Sequence, residues 1–214
     1  MNTLSIRQSV VDLCIKLSHI GYLAGTGGNI ALRIDAERFA VTPSATDYLS
    51  MSAADVCVVR LSDLQRLEGE RTPSVETSLH ARVLRQRPEV LCSIHTHQPV
   101  ASACALLGRS LEVDNEATRR VIGPRVPLIG YMPSGTGLLA WMVGRAIRPD
   151  LNAYLMRNHG VLCCGSSLEA AVASVNALEN LAHRHLAQRI TQQISTHPQR
   201  AAALKRVLHT LETP

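Results

Sequence analysis

The chain has 214 residues, 46% hydrophobic and 18% charged, the profile of a folded domain whose core needs no disulfide or metal staples. Its 22 Lys+Arg against 17 Asp+Glu leave a net charge of +5, but only 3% of residues are aromatic and no run of five cations occurs. Stacking on single-stranded nucleic acid is thereby excluded, as are disorder, collagen and coiled coil, and most of the charge reads as a solvated surface.

In chain order, a first helix is expected from about Leu4 to Tyr22, with Val10, Val11, Cys14, Leu17 and Ile20 on one face and Gly21 as the stop. The loop Gly25-Thr26-Gly27-Gly28-Asn29 follows, then the alternation Ile30, Leu32, Ile34. A turn at 35–37 into Phe39-Ala40-Val41 predicts an antiparallel hairpin. Val56 to Leu61 reads as a strand, Ser74 to about Arg87 as a helix closed by Pro88, and Val90 to Ile94 as a short buried strand. Small residues from Val100 to Leu107 and then Leu138 to Ile147 read as helices, and Ala153 to Met156 and Val161 to Cys164 as strands.

Ser166 with Glu169 three residues on forms a capping box for a helix whose stripe runs to Leu186, and another helix follows Pro198. No repeat or linker divides the chain, so residues 1–214 read as one α/β layered domain with a mixed or mainly antiparallel sheet.

Six cysteines (14, 57, 92, 104, 163, 164) include no C-x-x-C pair and lie mostly in apolar text, which predicts buried free thiols in a reducing compartment. The first residues lack the apolar stretch of a signal peptide. The uncharged segment 126–144 is broken by Pro127, Pro133, Ser134 and four glycines, so no membrane span is expected. The expectation is a cytoplasmic protein with no membrane and no nucleic-acid partner.

The chemistry concentrates in three places. In His95-Thr96-His97, side chains two apart on a strand project to one face, as two ligands of a divalent metal require. His159, in the tight turn Asn158-His159-Gly160 between two strands, offers a third imidazole, and three imidazoles with an open position describe a catalytic site. Each histidine taken singly also fits an ordinary hydrogen-bonded core residue. Glu76 opens a helix, where a carboxylate answers the macrodipole or stands close enough to the metal to shuttle a proton. His80, one turn on, orients Glu76 or simply packs. The glycine loop exposes backbone N–H groups that suit a phosphate or a plain turn. It lies between helix and strand, the reverse of the P-loop and Rossmann order, so nucleotide binding is disfavoured.

Gly25-Thr26-Gly27-Gly28-Asn29, Val41-Thr42-Pro43-Ser44-Ala45, Pro73-Ser74-Val75-Glu76, His95-Thr96-His97 and Asn158-His159-Gly160 together resemble, in order, the motifs of the class II aldolase/adducin family, over about Leu4 to Ile190. The resemblance implies a three-layer fold with the sheet between helices. It implies Zn2+, or another divalent ion such as Mn2+ or Co2+, on His95, His97 and His159, and Glu76 as general acid/base. It places Gly28, Asn29, Ser44, Ala45 and Ser74 around a substrate phosphate, with a small anionic sugar phosphate as the partner. The expected activity is that of a lyase cleaving a carbon–carbon bond, in a homotetramer with sites at subunit interfaces. Val75 departs from the aldolase pattern, which has a second serine there, and no tyrosine follows Tyr154, where the aldolases take a proton donor from a neighbouring subunit. Decarboxylase, dehydratase and epimerase chemistry at the same metal, or a silent adducin-like binding module, are the alternatives.

Overall fold

A helix, α1 (Thr3–His19), begins the chain, capped by Asn2, whose side chain accepts from the Leu4 amide. The computed structural model describes residues 2–25 and 27–213, so Thr26 of the glycine loop lies outside the described residues. The expected hairpin is present as β1 (Asn29–Arg33) and β2 (Arg38–Val41), followed by β3 (Cys57–Arg60), β4 (Arg66–Glu68) and α2 (Thr77–Gln86). After β5 (Cys92–Thr96) come α3 (Pro99–Leu106), β6 (Leu111–Glu112), α4 (Glu116–Ile122), β7 (Arg125–Val126), β8 (Leu128–Ile129) and α5 (Gly137–Ala146). The chain ends in β9 (Ala153–Met156), β10 (Gly160–Gly165), α6 (Leu168–Thr196) and α7 (Ala201–Glu212).

Eight strands form one sheet in the order β4-β3-β2-β1-β5-β10-β9-β8, antiparallel throughout except for the β8–β9 pair. Alternation along each strand divides its side chains between two cores. Ile30, Leu32, Cys92, Ile94, Val161 and Cys163 join α1, α3, α4 and α6 on one face. Ala31, Leu162, Cys164, Tyr154 and Met156 join α2 and α5 on the other. The result is a mainly antiparallel sheet between helical layers, as the sequence implied. All six cysteines are free and buried. No helix among the described residues is long and apolar enough to cross a membrane.

Several boundaries differ from the sequence reading, each for a local reason. The α1 helix stops at His19, because Gly21 already takes a left-handed φ of +74°. The α2 helix starts at Thr77 rather than Ser74, because the Ser74 hydroxyl accepts from the Glu76 amide in a turn that precedes the helix. The α6 cap is Ser167, not Ser166; its side chain accepts from the Ala170 amide, and Glu169 keeps its place in the first turn. The central strand covers residues 92–96, so His95 lies inside it and His97 one residue beyond its end.

Candidate active site

The sheet register sets the first contacts. Asn29 pairs with His95 and His95 with Leu162, so the start of β1, the end of β5 and the start of β10 lie side by side. The β9–β10 turn then returns His159 to the same edge, with Asn158 at a φ of +55°, a conformation asparagine tolerates. His95, His97 and His159 each offer a ring nitrogen, all within 4.8 Å of one another. Exposure grades outward from His95, which is buried, through His159, which is intermediate, to His97, which is exposed. Gly160 is required by this crowding: a Cβ there would lie 2.5 Å from both His97 Cδ2 and the Thr96 carbonyl.

The donor chemistry fits a divalent cation. His95 Nδ1 lies 2.7 Å from the Val161 carbonyl, which only accepts, so the ring proton is on Nδ1 and the Nε2 lone pair faces the site. His97 Nε2 is 3.1 Å from that same atom, a close approach of two ring nitrogens that a shared positive centre satisfies. Burial pulls His95 down to about 4 against the opposing pull of Glu76, and burial also lowers His97, so both rings are neutral and coordination-ready at pH 7.

Glu76 stands at the N-terminal boundary of α2 and is 4% exposed. Its Oε1 lies 3.1 Å from His159 Nε2 and its Oε2 3.3 Å from His95 Nε2. Asn29 Nδ2 donates to Oε2 at 2.8 Å, and Ser134 Oγ donates to Oε1 at 2.9 Å. Burial pushes this carboxyl up, but the hydrogen bonds from His159 and Asn29, with the neighbouring His95, outweigh it and hold the group well below the usual carboxylate range. His80 is fully buried, with Nε2 2.6 Å from Asn29 Oδ1 and Nδ1 2.8 Å from Ser93 Oγ.

The other expected residues lie on three adjacent segments. Gly28, at a φ of +81°, gives its carbonyl to the Tyr48 hydroxyl, and a Cβ there would meet Leu23 at 2.4 Å and the His95 carbonyl at 2.7 Å. Ser44 and Ser74 are brought close by backbone pairing: Ser44 N donates to Thr72 O, Ser74 N to Thr42 O, and Pro43 bridges Pro73. Ala45 takes a φ of +49° in the same loop. The Asn29 side chain, expected on a phosphate, is engaged by Glu76 and His80 instead of facing an open loop. Ser134 was read from the sequence only as a polar interruption of an apolar stretch; nothing but its Pro-Ser-Gly turn setting marked it, and that signal is generic. A cavity of about 840 Å³ lies at the far end of β1 against Arg33, Arg60 and Arg85 and holds none of these residues.

Comparison with known proteins agrees with this fold. The Class II Aldolase and Adducin N-terminal domain matches residues 8–186. L-fuculose phosphate aldolase of Haemophilus influenzae is 25% identical, covering 87% of this chain and 84% of its own. The 5-deoxy-D-ribulose 1-phosphate aldolase of Bacillus thuringiensis is 30% identical over 81% of this chain and 80% of its own. Methylthioribulose-1-phosphate dehydratase of Yersinia enterocolitica is 29% identical over 85% and 91%. Among solved structures, an L-fuculose 1-phosphate aldolase superposes with a TM-score of 0.79 at 26% identity, covering 86% of each chain. With five motifs in register on this fold and a domain match spanning most of its length, the chain belongs to the class II aldolase and adducin family, as an aldolase-type lyase.

Proposed function

We propose that this protein cleaves a ketose 1-phosphate by a metal-dependent retro-aldol reaction, with Glu76 as acid/base. The observation that carries the reading is the buried carboxyl group of Glu76 placed 3.1 and 3.3 Å from two imidazoles of the His95, His97 and His159 cluster. Those three histidines are the residues that would hold the metal, taken here as Zn2+, with Mn2+ or Co2+ able to use the same nitrogen donors. When bound, such an ion acts as a Lewis acid that lowers the cost of the enediolate left by carbon–carbon cleavage. Glu76 moves the proton: as a carboxylate it accepts the proton of the hydroxyl that becomes the aldehyde carbonyl as the carbon–carbon bond breaks, and as the acid it delivers that proton to the enediolate carbon, giving the ketone. Its neighbours Asn29, Ser134 and His159 orient this carboxyl so that little reorganisation accompanies the transfer.

The same reading assigns the substrate phosphate to the backbone and hydroxyls of Gly28, Asn29, Ser44, Ala45 and Ser74. Arg71, whose Nη1 donates to Thr46 Oγ1 at 3.0 Å, adds a cation at that edge. The named substrates of the relatives above are phosphorylated ketoses, which supports a small anionic sugar phosphate. A homotetramer with sites at subunit interfaces belongs to the proposal as well; exposed Val75, Tyr131, Leu138 and Trp141, on and beside the loop that carries Ser134, supply an apolar surface for it.

The test is a panel of ketose 1-phosphates and their unphosphorylated forms with zinc-loaded protein, following aldehyde release. Aldehyde from a phosphorylated member, lost in His95→Ala together with zinc, is the expected result. Elimination of water without aldehyde would move the protein to the dehydratase reading, which the 29% identity to methylthioribulose-1-phosphate dehydratase favours as the second choice.

A further inference from the structure

The two oxygens of Glu76 meet different surroundings. Oε2 is held inside the protein by Asn29, which is 5% exposed. Oε1 faces outward, toward His159 and toward the hydroxyl of Ser134, an exposed residue on the β8–α5 loop. Behind Asn29 stands His80, which faces the same cluster from α2 one turn after Glu76, and behind His80 stands Ser93 of β5. His80 and Ser93 are both fully buried.

Proton directions along this chain follow from its end. An ionised carboxylate only accepts, so Asn29 must turn its NH2 to Oε2 and its carbonyl to His80. A carbonyl also only accepts, so His80 carries its proton on Nε2. Its Nδ1 is then bare and accepts from the Ser93 hydroxyl. Four groups thus share one arrangement, Ser93 to His80 to Asn29 to Glu76, in which every donor has an acceptor. Burial, with the nearby His95, holds His80 neutral by lowering it to about 3, in keeping with a bare Nδ1.

We propose that His80 is a positioning residue for Glu76: by pinning the Asn29 amide it commits Oε2 to a fixed hydrogen bond and leaves Oε1 as the oxygen that takes and returns the substrate proton. This rests on the aldolase reading above for the identity of the proton. In the step concerned, taken from the ketone product, a carbon–hydrogen bond breaks, its electron pair stays on that molecule as the enediolate, and the proton goes to Oε1, where it exchanges with solvent before a proton is returned to the carbon.

Dihydroxyacetone phosphate, the three-carbon product expected of ketose 1-phosphate cleavage, isolates that step, because exchange of its carbon-bound hydrogen with D2O needs no aldehyde. With the full zinc-loaded chain and exchange followed by proton NMR, His80→Leu should lower kcat about 10–100-fold, with KM within about twofold and zinc content unchanged. His80→Gln retains an NH2 that can donate to Asn29 and should recover most of the loss. A readout independent of turnover is the tautomer of His80 in ¹⁵N-histidine-labelled protein, expected as neutral Nε2–H. The Nδ1–H tautomer, wild-type kcat in His80→Leu, equal losses in His80→Leu and His80→Gln, or loss of zinc along with rate would each overturn the inference. Wild-type protein that holds zinc and catalyses no exchange would overturn the aldolase reading instead, while the tautomer still decides whether the hydrogen-bond chain exists.

Discussion

The two faces of the central sheet are built from the same strands and do opposite work. Toward α1, α3, α4 and α6 the central strands present Ile30, Leu32, Cys92, Ile94, Val161 and Cys163, an apolar layer in which each residue contributes through burial. One residue along, toward α2, the same strands present Asn29, Ser93 and His95, all buried and polar. Those groups are satisfied by Glu76, by His80 and, for His95, by the Val161 carbonyl, with partners up to 66 positions apart in the chain. Each group's worth there depends on its neighbours, since a buried donor or acceptor that loses its partner bears the full cost of desolvation. The apolar face sets how firmly the sheet is held; the polar face sets what its edge can do.

This contrast is breakable. The largest effect is expected on the polar face: Glu76→Gln should lower cleavage about 10²–10⁴-fold while zinc content stays at wild type, measured by steady-state rates and metal analysis. A fall in both together would mean that Glu76 holds the site rather than moving a proton. On the apolar face, Ile94→Ala should cost about 2–5 kcal/mol in urea unfolding, with rate per folded molecule preserved. If the rate falls more than stability does, the two faces are not separable.

Next comes pH, acting on the metal-free chain. His80 is lowered from the ordinary 6.5 to about 3 in the fold, so the unfolded chain binds its proton first as pH falls. Its contribution is therefore intact above 6.5 and is lost between 6.5 and about 3, at up to ~1.4 kcal/mol per pH unit. Denaturant titrations at stepped pH, compared with His80→Leu, should show the slope in the parent and a shallower one in the variant. The smallest effect belongs to a cap far from the site: Ser167→Ala should cost about 1 kcal/mol with no change in activity, read by thermal unfolding.

Legibility in the sequence tracked the range of the interaction concerned. Elements with a clean period, such as α1, α6 and the β1–β2 hairpin, were readable because their side chains answer mainly to which face is buried. Their ends were less so: Ser166 and Ser167 offer the same hydroxyl, and only backbone geometry shows that Ser167 makes the bond to Ala170. His95 and His97 announced themselves by strand periodicity, and Glu76 by its position before a helix. Ser134 did not, because it lies in a turn of small residues and meets Glu76 from 58 positions away.

By itself the sequence determined the layered α/β class, the family motifs and the identity of the three histidines and Glu76, because these are written as residue types at short, regular spacings. Tertiary structure alone decided that the Asn29 amide donates to Glu76 Oε2, that His80 stands behind Asn29, and that the Ser134 hydroxyl meets Oε1. Those assignments depend on which hydrogen-bond partners three distant segments bring within 3 Å, a quantity that no local pattern encodes.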